Sequence, residues 1–235
     1  MKYLSVNLHR GRFPQPQSYI PEDTRPLATD AIHRIASITK LFCATALFKL
    51  FEDGYLRPLQ PVSDIIPEFK DAPFNEINIA HLLTHTSGLR PDVGVHPYKY
   101  LECFDYVAEC KPGDNWIEAA LKAGMSYKPG EQWAYCSFGY IFLGEIIKRV
   151  TGMEPDTYIR KVILEPCKMT DTCNNREIDR GEISPEYIQK LKDRFYIQNE
   201  NDKRYIERLN SYESGKTFGN SERIWMHIPG TAGSM

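Results

Sequence analysis

Apolar positions in this chain recur mostly at helical spacing, with little strict alternation. The longest such run starts at Ile35 and passes through Phe42, Leu47 and Phe51 to a stop at Gly54. Its apolar residues wrap most of the circumference, which predicts a buried central helix. Further helical patterns lie at 77–84, at about 115–124, at 137–150 before Gly152, and at 155–164 before Pro166. Residues 2–8 alternate enough to predict one short strand. Two stretches carry repeated prolines and predict irregular chain: Gly11–Arg25 (Pro14, Pro16, Pro21) and 55–75 (Pro58, Pro61, Pro67, Pro73). From Asn174 to Lys216, nine Lys/Arg are interleaved with nine Asp/Glu, the pattern of a solvated face or a charged excursion.

Composition narrows the class. With 235 residues, 42% of them hydrophobic, the chain can bury a core, so a disordered protein is excluded and one domain over 1–235 is expected. A net charge of −2 lacks the basic excess that phosphate backbones demand, so no nucleic-acid partner is expected. No apolar run approaches the roughly 18 residues of a membrane-spanning helix. Residues 1–10 lack the apolar core of a signal peptide, and the six cysteines form no C-x-x-C pair. Both features predict a reducing, cytoplasmic setting.

The candidate chemistry sits at the head of the longest helix. Ser37-Ile38-Thr39-Lys40 places a hydroxyl and an amine three residues apart, on one face of a helix. A serine hydroxyl needs a base beside it to act as a nucleophile. Lysine supplies one only when neutral, which its reference pKa of ~10.4 disfavours unless apolar surroundings desolvate it. Leu41, Phe42, Ala44 and Leu47 offer such surroundings, and no other serine in the chain has a lysine three positions on. The spacing alone also fits a helix-capping serine with a solvated lysine. Phosphate-loop, dinucleotide-binding, G-x-S-x-G and H-E-x-x-H motifs are absent, and no cofactor is expected. His81 and His85 can share a helical face, but no acidic third ligand lies near, so no metal site is expected.

Taken with its flanks, Arg34-Ile35-Ala36-Ser37-Ile38-Thr39-Lys40 resembles the nucleophile motif of the β-lactamase-related serine hydrolases. That group includes class C β-lactamases, D-alanyl-D-alanine peptidases, D-aminopeptidases and some esterases. The resemblance continues, in order, through Leu82–Leu89 (Leu-Leu-Thr-His-Thr-Ser-Gly-Leu), Lys128–Glu131, Trp133–Tyr140 and Glu165–Thr172, so that 30–173 is the best-matching region. It implies an α+β fold of the β-lactamase/transpeptidase type, and an acyl-enzyme mechanism on an ester, amide or lactam of a small-molecule or peptide-like substrate. Ser37 would be the acylated nucleophile, Lys40 its activating neighbour, and Tyr135 the tyrosine that shares or relays its proton. Ser137 would stand where the family's substrate-contacting asparagine is found. The Leu-Thr-His-Thr-Ser-Gly-Leu segment is expected to be structural, with Gly88 making a turn.

The family's third motif, a Lys or His followed by Thr-Gly on a sheet strand, has no convincing match, and Lys216-Thr217-Phe218-Gly219 is a decoy. The expectation is therefore a truncated or reduced member, mainly the helical lobe and nucleophile helix, with most of the antiparallel sheet missing. Such a chain would self-associate or require a missing C-terminal part. A non-catalytic binding protein built on the helical part of the fold is the alternative.

Overall fold

A computed structural model describes residues 30–91, 116–196 and 206–207. The chain divides into two compact units, one of Ile35–Ile183 with Ser214–Met235 and one of Met1–Arg34 with Ser184–Glu213. The strand expected over residues 2–8, the Gly11–Arg25 arm and the Lys216–Gly219 decoy lie outside the described residues. Among the described residues the larger unit is helical, and β structure is limited to isolated bridges such as Leu89 with Met125. None of the helices described is long and apolar enough to cross a membrane.

In the larger unit a single 3₁₀ turn, Ala36–Ile38, leads into α1, Thr39–Glu52. Then follow α2 (Ile79–Leu83), α3 (Trp116–Ala123), α4 (Ser137–Thr151), α5 (Pro155–Ile159) with a π-helical turn over Arg160–Leu164, and α6 (Asn175–Asp179). The stop signals act as their chemistry requires. Gly54 and Gly152 take left-handed φ values of 77° and 70° just beyond α1 and α4, a region that costs glycine little. Asn78 caps α2 through a box: its side chain accepts the His81 N–H at 2.9 Å, and His81 Nδ1 accepts the Asn78 N–H at 3.3 Å.

The central helix is α4 rather than α1. Every residue of α4 from Phe138 to Leu143 is buried, and the helix packs on α1, α2, α3 and α5. Gly139 lets α2 approach closely, since a Cβ there would lie 3.3 Å from the Leu82 carbonyl oxygen. Phe142 meets Phe69 edge-on at 4.7 Å, tying α4 to the proline-rich loops. The expectation that α1 is buried on nearly all sides is corrected. Thr39, Lys40, Cys43, Ala46, Leu47 and Leu50 form a buried stripe, whereas Ile38, Leu41 and Phe48 are 55–66% exposed.

The charge-rich stretch begins as a packed network rather than a solvated face. Glu177, 2% exposed, is gripped by the Arg160 guanidinium and accepts the Asn174 N–H at 2.7 Å. Asp156, equally buried, pairs with Arg180, which also holds Glu182 at 2.7 Å. Carboxylate oxygens of Asp156, Glu177 and Glu182 come within 4.8 Å of one another, but the two guanidiniums supply the countercharge that a cation would otherwise bring. In the smaller unit, Ser184 caps α7 (Pro185–Arg194), and Ile32 pairs in parallel with Phe195.

Gly88 carries the tightest constraint in the larger unit. Its φ is 76°, and a Cβ would fall 2.0 Å from the Tyr127 carbonyl oxygen. Gly88→Ala is expected to destabilise the protein by roughly 2–5 kcal/mol, combining left-handed strain with a clash against backbone. Gly54→Ala, where nothing lies within 4 Å, should cost only about 1 kcal/mol. Urea unfolding of the two variants checks the contrast.

Candidate active site

The turn that carries Ser37 is set by the residue before it. Ala36 adopts φ 44°, a left-handed conformation that costs a non-glycine residue about 1–3 kcal/mol. The Ala36 carbonyl then accepts from the Thr39 hydroxyl at 2.6 Å, which closes the turn and starts α1. Ser37 is left exposed on this turn, while Lys40, one turn on, is only 5% exposed. The two side chains share a face, as their spacing predicted, with Lys40 Nζ donating to Ser37 Oγ at 3.3 Å.

Lys40 Nζ also donates to Ser137 Oγ at 3.3 Å, across 97 residues of sequence, from the first residue of α4. Tyr135 meets the same ammonium with its ring face, 4.8 Å from Nζ to the centroid, and Tyr140 does so at 5.6 Å. The other three sequence-derived candidates, Ser37, Tyr135 and Ser137, therefore converge on the Lys40 amine. Burial, together with the neighbouring Cys43 and Tyr135, pushes the Tyr140 phenol up to about 12, and its hydroxyl donates to the Leu83 carbonyl at 3.1 Å. Beneath the site, burial drives the Cys43 thiol far above its ordinary range, against the opposing pull of Lys40, so this cysteine is an inert packing group.

The residue that sequence reasoning under-used is His85. Helix α2 ends at Leu83, and His85 lies beyond it with φ 59°, so His81 and His85 do not share a helical face. The His85 ring stacks on Tyr135 at 4.6 Å and 35°, and lies 5.2 Å from the Tyr140 ring. Its presence next to Thr-Ser-Gly was visible, but nothing local connects it to residues some 50 positions later.

Segment 85–90 forms a rack for the chain that leads into α4. The Ser126 N–H donates to the Gly88 carbonyl at 2.8 Å, Gly130 to Thr86 at 2.7 Å and Ala134 to His85 at 2.9 Å. The left-handed Gly88 makes this close approach possible, as the expected structural role of the segment requires.

The sequence model of the Beta-lactamase family matches residues 19–182, about 70% of the chain. The chain belongs to the Beta-lactamase family. Penicillin-binding protein 4* of Bacillus subtilis (strain 168) is 30% identical over 168 residues, 71% of this chain and 35% of that protein. Esterase EstB of Burkholderia gladioli is 30% identical over 165 residues, 64% of this chain and 40% of the esterase. The solved structure of D-amino acid amidase from Ochrobactrum anthropi SV3 complexed with L-phenylalanine matches with a TM-score of 0.54 and 25% identity, covering 67% of this chain and 42% of that one. The fold is accordingly of the β-lactamase/transpeptidase type, and the chain spans 35–40% of the length of these curated relatives.

A buried ammonium held by hydroxyls and ring faces is an arrangement that packing alone would not favour. Lys40→Met, of similar shape and without the charge, is therefore expected to leave unfolding free energy unchanged or raise it by up to about 2 kcal/mol. Calorimetry or urea titration reads this directly. A loss of about 2–5 kcal/mol, the size of a core truncation, would make Lys40 a structural residue instead.

Proposed function

We propose that this Beta-lactamase family chain carries a serine hydrolase site that works through an acyl-enzyme, with Ser37 as nucleophile. The observation that carries the reading is the 3.3 Å contact between Lys40 Nζ and Ser37 Oγ at the start of a helix whose lysine is buried. The names of the relatives, a penicillin-binding protein, an esterase and a D-amino acid amidase, support acyl transfer as the chemical class.

In the proposed reaction, Lys40, once it has given up its own proton, accepts the Ser37 proton, directly or by way of the Tyr135 hydroxyl, as Oγ attacks the carbonyl carbon of an ester, amide or lactam. The carbonyl electron pair moves onto oxygen and is stabilised by backbone N–H donors, that of Ser37 among them. Collapse expels the alcohol or amine, which takes the proton back from the Lys40–Tyr135 pair. Water then cleaves the acyl-serine in the reverse sense, regenerating the Ser37 hydroxyl. Ser137 contacts the substrate; its hydroxyl has shorter reach and fewer donors than an asparagine amide.

Leaving-group chemistry sets the expected preference. A small activated ester needs little proton delivery, whereas peptides and β-lactams require an acid at the departing nitrogen. Activated-ester turnover and labelling by a fluorophosphonate probe are expected at Ser37, with β-lactams and peptides poor substrates. Ser37→Ala should abolish both signals, and Lys40→Ala should lower the labelling rate by about 10² or more. Intact-mass analysis after labelling decides: an unlabelled wild-type chain, or turnover that survives Ser37→Ala, rejects the proposal in favour of a non-catalytic binding protein.

A further inference from the structure

We propose that His85 is a positioning residue of this site: as the Nε2–H tautomer it accepts the Cys136 N–H and thereby sets where Tyr135 and Ser137 meet Lys40. The proposal rests on the reading of Ser37 and Lys40 as the reacting pair. It goes beyond that reading by assigning the histidine of the Thr-His-Thr-Ser-Gly segment a role that neither the spacing of the motif nor packing supplies.

Three contacts from one residue converge on three consecutive positions. The Ala134 N–H donates to the His85 carbonyl oxygen at 2.9 Å, and the Cys136 N–H donates to His85 Nδ1 at 3.2 Å. Between them, the Tyr135 ring lies against the imidazole at 4.6 Å. Cys136 is the extended residue that precedes α4, with φ −138° and ψ 109°, so pinning its N–H fixes the entry of Ser137 into the helix. Both Tyr135 and Ser137 contact Lys40 from that segment, one by its ring face and one by its hydroxyl. An error of about 1 Å in such placement can cost on the order of 10² in rate.

The tautomer follows from the donor. Accepting an N–H requires a lone pair on Nδ1, which leaves the neutral ring's proton on Nε2. Protonation would set an N–H on Nδ1 against the Cys136 N–H and break the contact. The titratable groups that face the ring are Lys40 from α1, Tyr135 and Cys136 from the entering segment, and Tyr140 from α4. Burial first, and then the Lys40 charge, hold the imidazole below the ordinary histidine range. The unfolded chain then binds this proton more readily than the folded one. The stability contributed by neutral His85 is thus complete above about pH 6.5 and is lost as pH falls through the lower folded value.

Two variants separate acceptor from ring. His85→Asn keeps an acceptor near the Nδ1 position and tolerates the left-handed backbone; His85→Phe keeps the ring and removes the acceptor. Long-range ¹⁵N–¹H NMR of the wild-type chain should show the Nε2–H tautomer, with Nδ1 unprotonated until below pH 6.5. Amide exchange at Cys136 should quicken about tenfold or more in His85→Phe and stay protected in His85→Asn. The fluorophosphonate labelling rate should fall about 10- to 100-fold in His85→Phe, recover most of that in His85→Asn, and lose its low-pH limb in the Asn variant. An Nδ1–H tautomer, or Cys136 exchange in His85→Phe equal to wild type, overturns the proposal whether or not Ser37 reacts. Equal labelling pH profiles in wild type and His85→Asn overturn it also. If tautomer and exchange are as expected but the wild type is never labelled, the hydrolase reading fails while the placement of Cys136 by His85 stands.

Discussion

An ammonium group at 5% exposure, reached from two helices, is the constraint around which the larger unit is arranged. Taking Lys40 out of water is unfavourable unless its donors are met, and hydroxyls from both ends of the site meet them. The demand reaches outward in both directions. On the α1 side it requires the 3₁₀ turn and the left-handed Ala36 that turn Ser37 back over the lysine. On the α4 side it requires that the Tyr135–Ser137 segment arrive extended, ring face inward, at a helix whose own first residue supplies the second hydroxyl.

Helix α4 can serve this purpose because it is the core of the unit. Its residues from Phe138 to Gly144 are buried, and Gly139 allows the backbone of α2 to come close. Segment 85–90, which follows α2, is therefore held against the chain entering α4, and its carbonyls accept from residues 126, 130 and 134 in turn. Gly88 makes the rack possible, and His85 gives it chemical direction. Stability and site geometry share these contacts.

The ion-pair network of Arg160, Glu177, Asp156 and Arg180 lies apart from this arrangement in chemistry. Its carboxylates are buried and its arginine side chains only partly exposed, so each acid is neutralised where it sits. The charges of that stretch looked like a solvated face because alternation of sign along a sequence does not reveal which partners a fold will bring across it. Glu177 meets Arg160 across 17 positions, and Asp156 meets Arg180 across 24.

What the sequence determined by itself was local or repeated: a helix starting near Ile35 and stopping at Gly54, found over Thr39–Glu52; a helix over 137–150 before Gly152, found over Ser137–Thr151; and the Ser37–Lys40 pair, because a three-residue spacing leaves little freedom. The family motifs placed Tyr135 and Ser137 among the candidates through resemblance rather than physics. Tertiary structure alone decided which helix is central, since the apolar residues of α1 cover nearly its whole circumference and do not say which stripe will find a partner. It alone brought Ser137 to Lys40, and it alone turned His85 from a motif letter into a hydrogen-bond acceptor for Cys136. Those contacts span 97 and 51 positions, and they depend on how α2 and α4 pack, a non-local property that no window of sequence contains.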